Sequence, residues 1–442
     1  MTNIVRYPYI GVTVAGGTLT DVLAARVQAG YDLRVAQAEV ICRALPAGAV
    51  PWANVTITLG GNAATAAKRF DGYFVEPAYS LLEYTVTLVC KGTLQRAATF
   101  EAQTEVDMTS FAVNDPLGLP YGHKDEVMVS TVLYIVGIAG TFEPSGELAM
   151  DGIEGTGRIM GSQIHNGYNW DKGQNALSFI EKLEEVTLGY RTFDAMDGTI
   201  KRQKVSTIPA ATADWTFTEG VDIFRGNASD SVLETRNMVI AEGWNGDKTE
   251  RTYTAQAANP WLLGSGGSAD YQWYLAQKIS NAMIESGTAI GGTAGISARE
   301  VASWQLAELN RKTDRITLTT PRDDLVEPAQ TVCVIAPTRL GAGSANYWVQ
   351  DVDVSVNRDG GFSQVLTLLG SQDGGAYSEG VTGGIVLTAA APTITTGVTT
   401  EVPTAQMTMA ISAPSIVDAG VNIAVVTAQV TADGVAPEVT AS

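Results

Sequence analysis

Histidine is almost missing from this chain: His123 and His165 are the only two in 442 residues. Neither has a second histidine or a cysteine at the spacing of a metal ligand, so no metal site is expected. Cysteine is nearly as scarce. Cys42, Cys90 and Cys333 lie far apart in strand-like runs, and an odd, widely spaced set is no disulfide framework. They read as small core residues of a protein made in a reducing compartment. Basic side chains are outnumbered, 28 Lys and Arg against 47 Asp and Glu, for a formal net charge of −19. A nucleic-acid binder needs cations against phosphate, so sequence-specific nucleic-acid binding is not expected. An acidic wall would still suit DNA that moves past without sticking, although solubility alone accounts for such a charge. Long apolar runs are lacking too. The most apolar stretch, Val127–Ala139, is too short to span a bilayer and is entered through Asp125 and Glu126, so no membrane anchor is expected. The N-terminus has no basic region followed by an apolar core, and export by a secretory signal is not expected.

The usual carriers of chemistry are missing as well. No Gly-x-Ser-x-Gly elbow occurs, and Gly264–Ser268 reads as a flexible loop. Gly155–Gly161 has no lysine to hold a phosphate. His165, near Trp170, sits in a polar stretch and reads as solvated. Glu181, Glu184 and Glu185 share the clearest helix, where their spacing suggests a solvated polar face and not two carboxylates facing across a cleft. No catalytic residue and no cofactor is therefore expected, and the chain does not read as an enzyme.

What is abundant is Gly, Thr, Val and Ala, which tilts the reading toward β-structure. One three-strand phrase occurs twice. Asn54–Leu59, Phe70–Val75 and Tyr84–Gly92 form the first copy; Thr331–Ile335, Trp348–Val354 and Gln364–Gly370 form the second. Strands starting at 55, 70 and 84 match strands starting at 332, 348 and 364, with intervals of 15 and 14 against 16 and 16. Period-two alternation bounded by Gly, Asn, Asp and Pro marks half-buried antiparallel strands. Two similar modules per chain would give six in a threefold assembly, which suits a junction between threefold and sixfold objects.

The expected fold is mainly β with an α+β insertion, in six segments. Residues 1–115 form a first tube-like β module, opened by strands Val22–Gln28 and Val35–Cys42 around the turn at Gly30–Asp32. Residues 116–215 form an inserted α+β module. It holds a helix near Val127–Ile135 and a clearer helix, Ala176–Val186, with Asn175 as N-cap and Gly189 as its stop. A hairpin follows around Asp197–Gly198. Residues 216–250 hold return strands, including Asn237–Ala241, that link to the second module. Residues 251–312 are a helical or loop insert with a helix expected over Asp270–Ser286. Residues 313–375 are the second β module. The tail, 376–442, has one aromatic residue, Tyr377, and no Lys or Arg, and reads as a small β domain or an extended arm.

This order of segments resembles the baseplate or tail-tip hub proteins of tailed bacteriophages and related contractile injection machines. The resemblance is carried by Trp170–Val205, by Arg236–Gly243, and by Thr320–Val334 with the hairpin Trp348–Gly370. It covers most of residues 10–372 and departs at Ala329–Gln330, where such proteins often have a glycine and an acidic residue. It implies a homotrimeric hub with a central channel, located in the virion and assembled in the host cytoplasm. Its implied partners are the hexameric tail or tail-tube protein on one face, a threefold tip, spike or fibre protein on the other, and the tape-measure protein.

Two other readings stay open at this point: a tail-associated cell-wall hydrolase or glycan-binding tip, and a β-rich adhesin. The residues that would close a ring are expected on exposed edge strands, at Val55, Ile57 and Leu59 of the first copy and Val332 and Val334 of the second. Proline at Ile57 or Val334 is expected to abolish trimers.

Overall fold

The computed structural model describes residues 8–46, 49–80, 83–108, 123–138, 140–142, 148–160, 169–205, 209–230, 238–243, 253–258, 276–281, 283–286, 296–311, 314–335 and 344–370. All belong to the first of two units, Met1–Gly384. The tail from 376, Gly264–Ser268 and His165 lie outside the described residues, so the expectations placed on them are not addressed.

The architecture is mainly β, built on one large sheet. Its first half contains β1 (Tyr9–Val14), β2 (Gly17–Thr18), β3 (Val22–Gly30), β4 (Gln37–Cys42), β5 (Asn54–Gly60), β6 (Ala67–Ser80) and β7 (Thr85–Gly92). Alternation decides which side chains meet. In β5, Val55, Ile57 and Leu59 are fully buried while the intervening Thr56 and Thr58 are half-buried. Strand β7 repeats this with Val86, Leu88 and Cys90 inward. The inserted region then contributes α1 (Gln95–Thr99), α2 (Asp125–Ile135), α3 (Ala176–Glu184), β8 (Tyr190–Asp194) and β9 (Ile200–Lys204). The chain returns through β10 (Trp215–Thr218), β11 (Arg225–Asp230), β12 (Met238–Gly243), β13 (Tyr253–Ala258), β14 (Ala276–Ser280), β15 (Ile284–Ser286) and α4 (Ala298–Arg311). It finishes with β16 (Asp314–Thr320), β17 (Thr331–Ile335), β18 (Ser344–Asn357) and β19 (Gly361–Leu369).

The two halves of the large sheet repeat one strand order. In the first half neighbours run β1, β5, β6, β7, β4, β3; in the second they run β10, β17, β18, β19, β16, β11. Both central strands, β6 and β18, have 14 residues. Both carry a bulge at the corresponding place, between Phe74 and Glu76 and between Val349 and Asp351. An extra residue there bends the strand and lets its two ends serve different neighbours. The likeness reaches single backbone groups. Trp52 N donates to Phe74 O and Phe74 N to Ala53 O; at corresponding places Ala329 N donates to Val349 O and Val349 N to Gln330 O. Trp52 and Ala329 even share a left-handed backbone, at φ 70° and 68°. One departure is that β1 lies antiparallel to β5, whereas β10 lies parallel to β17.

A single apolar core runs through both halves, joining Val27, Val40, Ile57 and Leu88 to Leu318, Val334, Val354 and Leu366. A second core surrounds the helices, where Trp170, Phe179, Ile180 and Leu183 meet Leu133, Val301 and Ala302. The helix expected at Ala176–Val186 is α3, with the Asn175 side chain accepting from Ser178 N as cap. The Asp197–Gly198 turn joins β8 and β9 in register, with Gly198 at φ +85°. Cys42 and Cys90 are buried and Cys333 half-buried, all three as free thiols; burial pushes the Cys90 thiol up to about 12.

Two expectations need correction. Where described, the stretch Asp270–Ser286 is not helical: β14 pairs parallel with β12 and β15 follows. Ile279 and Met283 there join the second core, and pairing with a neighbouring strand overrides a helix-like spacing. The helix of this region is α4. Its start is a reciprocal cap: Ser297 Oγ accepts from Glu300 N at 3.2 Å, and the Glu300 carboxylate accepts from Ser297 N at 3.2 Å. Of the strands expected to return toward the second half, β10 and β11 join the large sheet, whereas β12 lies in a separate three-stranded sheet.

Candidate interaction surface

Val55, Ile57, Leu59 and Val332 are 0% exposed and Val334 is 2% exposed, all within the shared core. Their strands are not edges. Strand β5 is paired by β1 and β6, and β17 by β10 and β18. The expectation of exposed, ring-closing strands at these residues is therefore corrected: alternating apolar residues mark the buried face, while edge status depends on backbone neighbours that a strand pattern does not encode. A proline at Ile57 or Val334 would remove a ladder donor inside the fold, so neither position isolates assembly.

The two halves meet edge to edge where β18 leaves its own half beyond the bulge and pairs antiparallel with β3, from Asp351 opposite Gly30 to Asn357 opposite Ala24. Val354 and Val27, directly opposite, are fully buried. On the other face Arg26 grips Asp353, with Nε donating to Oδ1 at 3.0 Å and Nη2 to Oδ2 at 2.5 Å, and Gln28 adds a third donor at 3.0 Å. Gln350 Nε2 donates to Asp32 at 2.7 Å at the end of the junction. Gly30 is required by the close approach, since a Cβ there would lie 1.8 Å from Asp351 Oδ1 and 3.1 Å from the Gln350 carbonyl oxygen.

Beyond this joint, four strands of the large sheet have an open side among the described residues. β2 is paired by β1 only and β10 by β17 only, β11 ends the sheet on one side of β16, and β6 beyond its bulge is paired by β7 only. Among the described residues nine large apolar side chains are exposed, and five of them lie near the last two of these places: Trp52, Tyr79 and Tyr84 around β6, and Val221 and Phe224 ahead of β11. Sequence reading missed both edges, because the exposure of Tyr79 and Phe224 is set by the fold.

Of the three carboxylates expected on a solvated face, Glu181 and Glu185 are exposed and Glu184 is not. Glu184 is fully buried, its Oε1 accepting from Thr192 N and Oγ1 and its Oε2 from Arg34. Arg202, also fully buried, bridges Asp125 at 2.7 Å and donates to Glu154 O and Thr187 Oγ1. Asp125 in turn accepts from Thr156 N and Oγ1 at the first turn of α2. Buried charges paired and hydrogen-bonded in this way hold helices and strands together and offer no unengaged acid and base. Among the described residues no group of three or more His, Cys, Asp or Glu side chains could hold a metal ion. No described helix is long and apolar enough to cross a membrane.

No family model and no curated protein matches this chain. Solved structures do. A tail protein from Neisseria meningitidis MC58 aligns with a TM-score of 0.55 at 10% identity, covering 82% of this chain and 96% of that one. The 43 kDa tail protein of prophage MuSo2 from Shewanella oneidensis aligns with a TM-score of 0.54 at 11% identity, covering 82% and 98%. The likeness read from the order of segments is thus matched at the level of fold: this chain folds as phage tail proteins do.

Proposed function

We propose that the chain is a structural subunit of a phage tail tip or baseplate: a hub in which three copies form a pseudo-sixfold ring. The ring joins the hexameric tail tube to a threefold tip, spike or fibre and leaves a channel for DNA. The observation that carries this reading is the repeat inside the chain, in which two six-strand units share strand order, bulge position and a left-handed residue. Two like units per chain make a threefold ring locally sixfold. The net charge of −19 suits a passage that repels DNA. Tail-tube, tape-measure and tip proteins are the partners in this reading, and the particle is its location. The hydrolase or glycan-binding alternative has no described feature in its favour, because Glu184 is spent on Arg34 and Thr192.

The mass of the purified protein in solution, by light scattering with and without residues 376–442, tests the hub. Three chains in both forms is the expected result and makes the tail dispensable for the ring. Three chains only at full length would make the tail a clasp. A monomer at every concentration, alone and with tail-tube protein, would overturn the reading.

A further inference from the structure

The geometry points to one contact between subunits: Pro77–Ser80 of β6 pairs antiparallel with Asn227–Asp230 of β11 in a second copy of this chain. The inference rests on the hub reading and names the surface that closes it.

The template is the joint inside the chain. Strand β18 uses its first half to pair with β17 and its second half, beyond the bulge, to pair with β3 of the other unit. Strand β6 is its counterpart. Its first half pairs with β5, and beyond the bulge β7 occupies one side only. The counterpart of β3 is β11, which no described strand besides β16 pairs at Asn227–Asp230. The ladders fix the register. Val27 faces Ala38, which faces Cys90; Ala228 faces Ile316, which faces Leu368. Cys90 faces Phe74 just as Leu368 faces Val349. Carrying the β18–β3 pairing across sets Tyr79 opposite Ala228 and Ser80 opposite Asn227.

Burial supports this independently. Tyr79 stands where β18 has Val354, yet Tyr79 is 62% exposed and Val354 0%. An aromatic residue left open at a position that its counterpart buries needs a cover, and Tyr84, Val221 and Phe224 are exposed close to the same two edges in the chain. Tyr31 N donates to Gln350 O, so alternate residues Val352 and Val354 turn their backbone toward β3. Pro77 takes the place of Val352, so this edge lacks one donor, which restrains indiscriminate pairing, while Tyr79 keeps both groups. The contact is head to tail: each chain offers one β6 and one β11, and such contacts form a ring when the rotation between copies closes, as a threefold axis requires.

The test uses the full-length protein with Ser80→Cys and Asn227→Cys, together and singly, under mild oxidation. These positions correspond to Ser355 and Arg26, a pair across which neither backbone hydrogen-bonds, close enough for a disulfide. The double variant is expected to give a covalent three-chain species, and a mixture of the single variants only two-chain species. A Tyr79→Asp variant is expected to lose trimers while keeping the wild-type circular dichroism. Wild-type trimers by light scattering, with no cross-link at this pair and trimers kept by Tyr79→Asp, would overturn the register and leave the hub standing. A wild-type protein that never leaves the monomer would overturn both.

Discussion

Ala329 occupies backbone that usually falls to glycine. Its φ of +68° lies in the left-handed region, where the Cβ of an L-residue meets the following carbonyl at about 1–2 kcal/mol. The resemblance read from the sequence marked Ala329 as a departure from glycine, and the dihedral gives glycine a physical reason at this position. Glycine relieves the strain and returns part of the gain as unfolded-chain entropy. Ala329→Gly is therefore expected to raise unfolding stability by roughly 0.5–1 kcal/mol, read from the denaturant midpoint at unchanged slope. A lower midpoint would mean that the methyl group, which packs against the cluster of Tyr31, Phe193, Val205 and Leu369, outweighs the strain. Trp52 at φ 70° is a different case, since its ring lies 5.9 Å from that of Tyr73 and packing there opposes the same replacement.

Elements are tied together by one buried carboxylate. Asp194 ends β8; its Oδ2 accepts from Ala36 N, ahead of β4, and its Oδ1 from Leu94 N, ahead of α1, each at 3.0 Å. Gly92 makes room for it, since a Cβ there would lie 2.2 Å from Oδ2. Burial pushes this carboxyl up from 3.8 to about 7 against the pull of the two backbone donors. A folded value above the unfolded one means the native state holds the proton more tightly, so the group's contribution is full below pH 3.8 and is lost as pH rises toward 7. The stability gap between wild type and Asp194→Asn should accordingly narrow from pH 4 to pH 7.5 in urea denaturation; a constant or widening gap would refute the assignment. None of this joint was legible in the sequence, because Asp194, Ala36 and Leu94 are distant in the chain. Local signals fared according to how local they were. The twice-written strand phrase, the Asn175 cap and the Asp197–Gly198 turn each depend on a few adjacent residues, and they were readable. Ser297 and Glu300 were equally readable as a capping box and were passed over. The run from Ala276 to Ser286 misled because its spacing suited a helix while β12 offered it a strand partner. The edges stayed hidden because alternation reports which side chains are buried and says nothing of which backbone lacks a neighbour.

At the scale of the whole molecule, charge opposes the proposed assembly. Each chain would bring −19 to it, so three chains would repel across the proposed ring, while the proposed junction is a hydrogen-bonded strand edge with Tyr79 beside it. Salt screens the first term over a Debye length that falls from about 30 Å at 0.01 M to about 8 Å at 0.15 M, and leaves the second nearly untouched. Self-association by sedimentation velocity should therefore strengthen as salt rises through that range. The joint inside the chain, with the half-exposed Arg26–Asp353 pair, would be little affected, since exposed ion pairs contribute about 0–1 kcal/mol. Weakening with salt would mean that cross-chain ion pairs outweigh repulsion at the junction. The apolar cover over Tyr79 would then be the minor term. Strengthening would also fit the acidic surface to its proposed place, because the same charge that resists assembly in dilute buffer is tolerated at cellular ionic strength and remains to keep DNA from adhering to the channel wall.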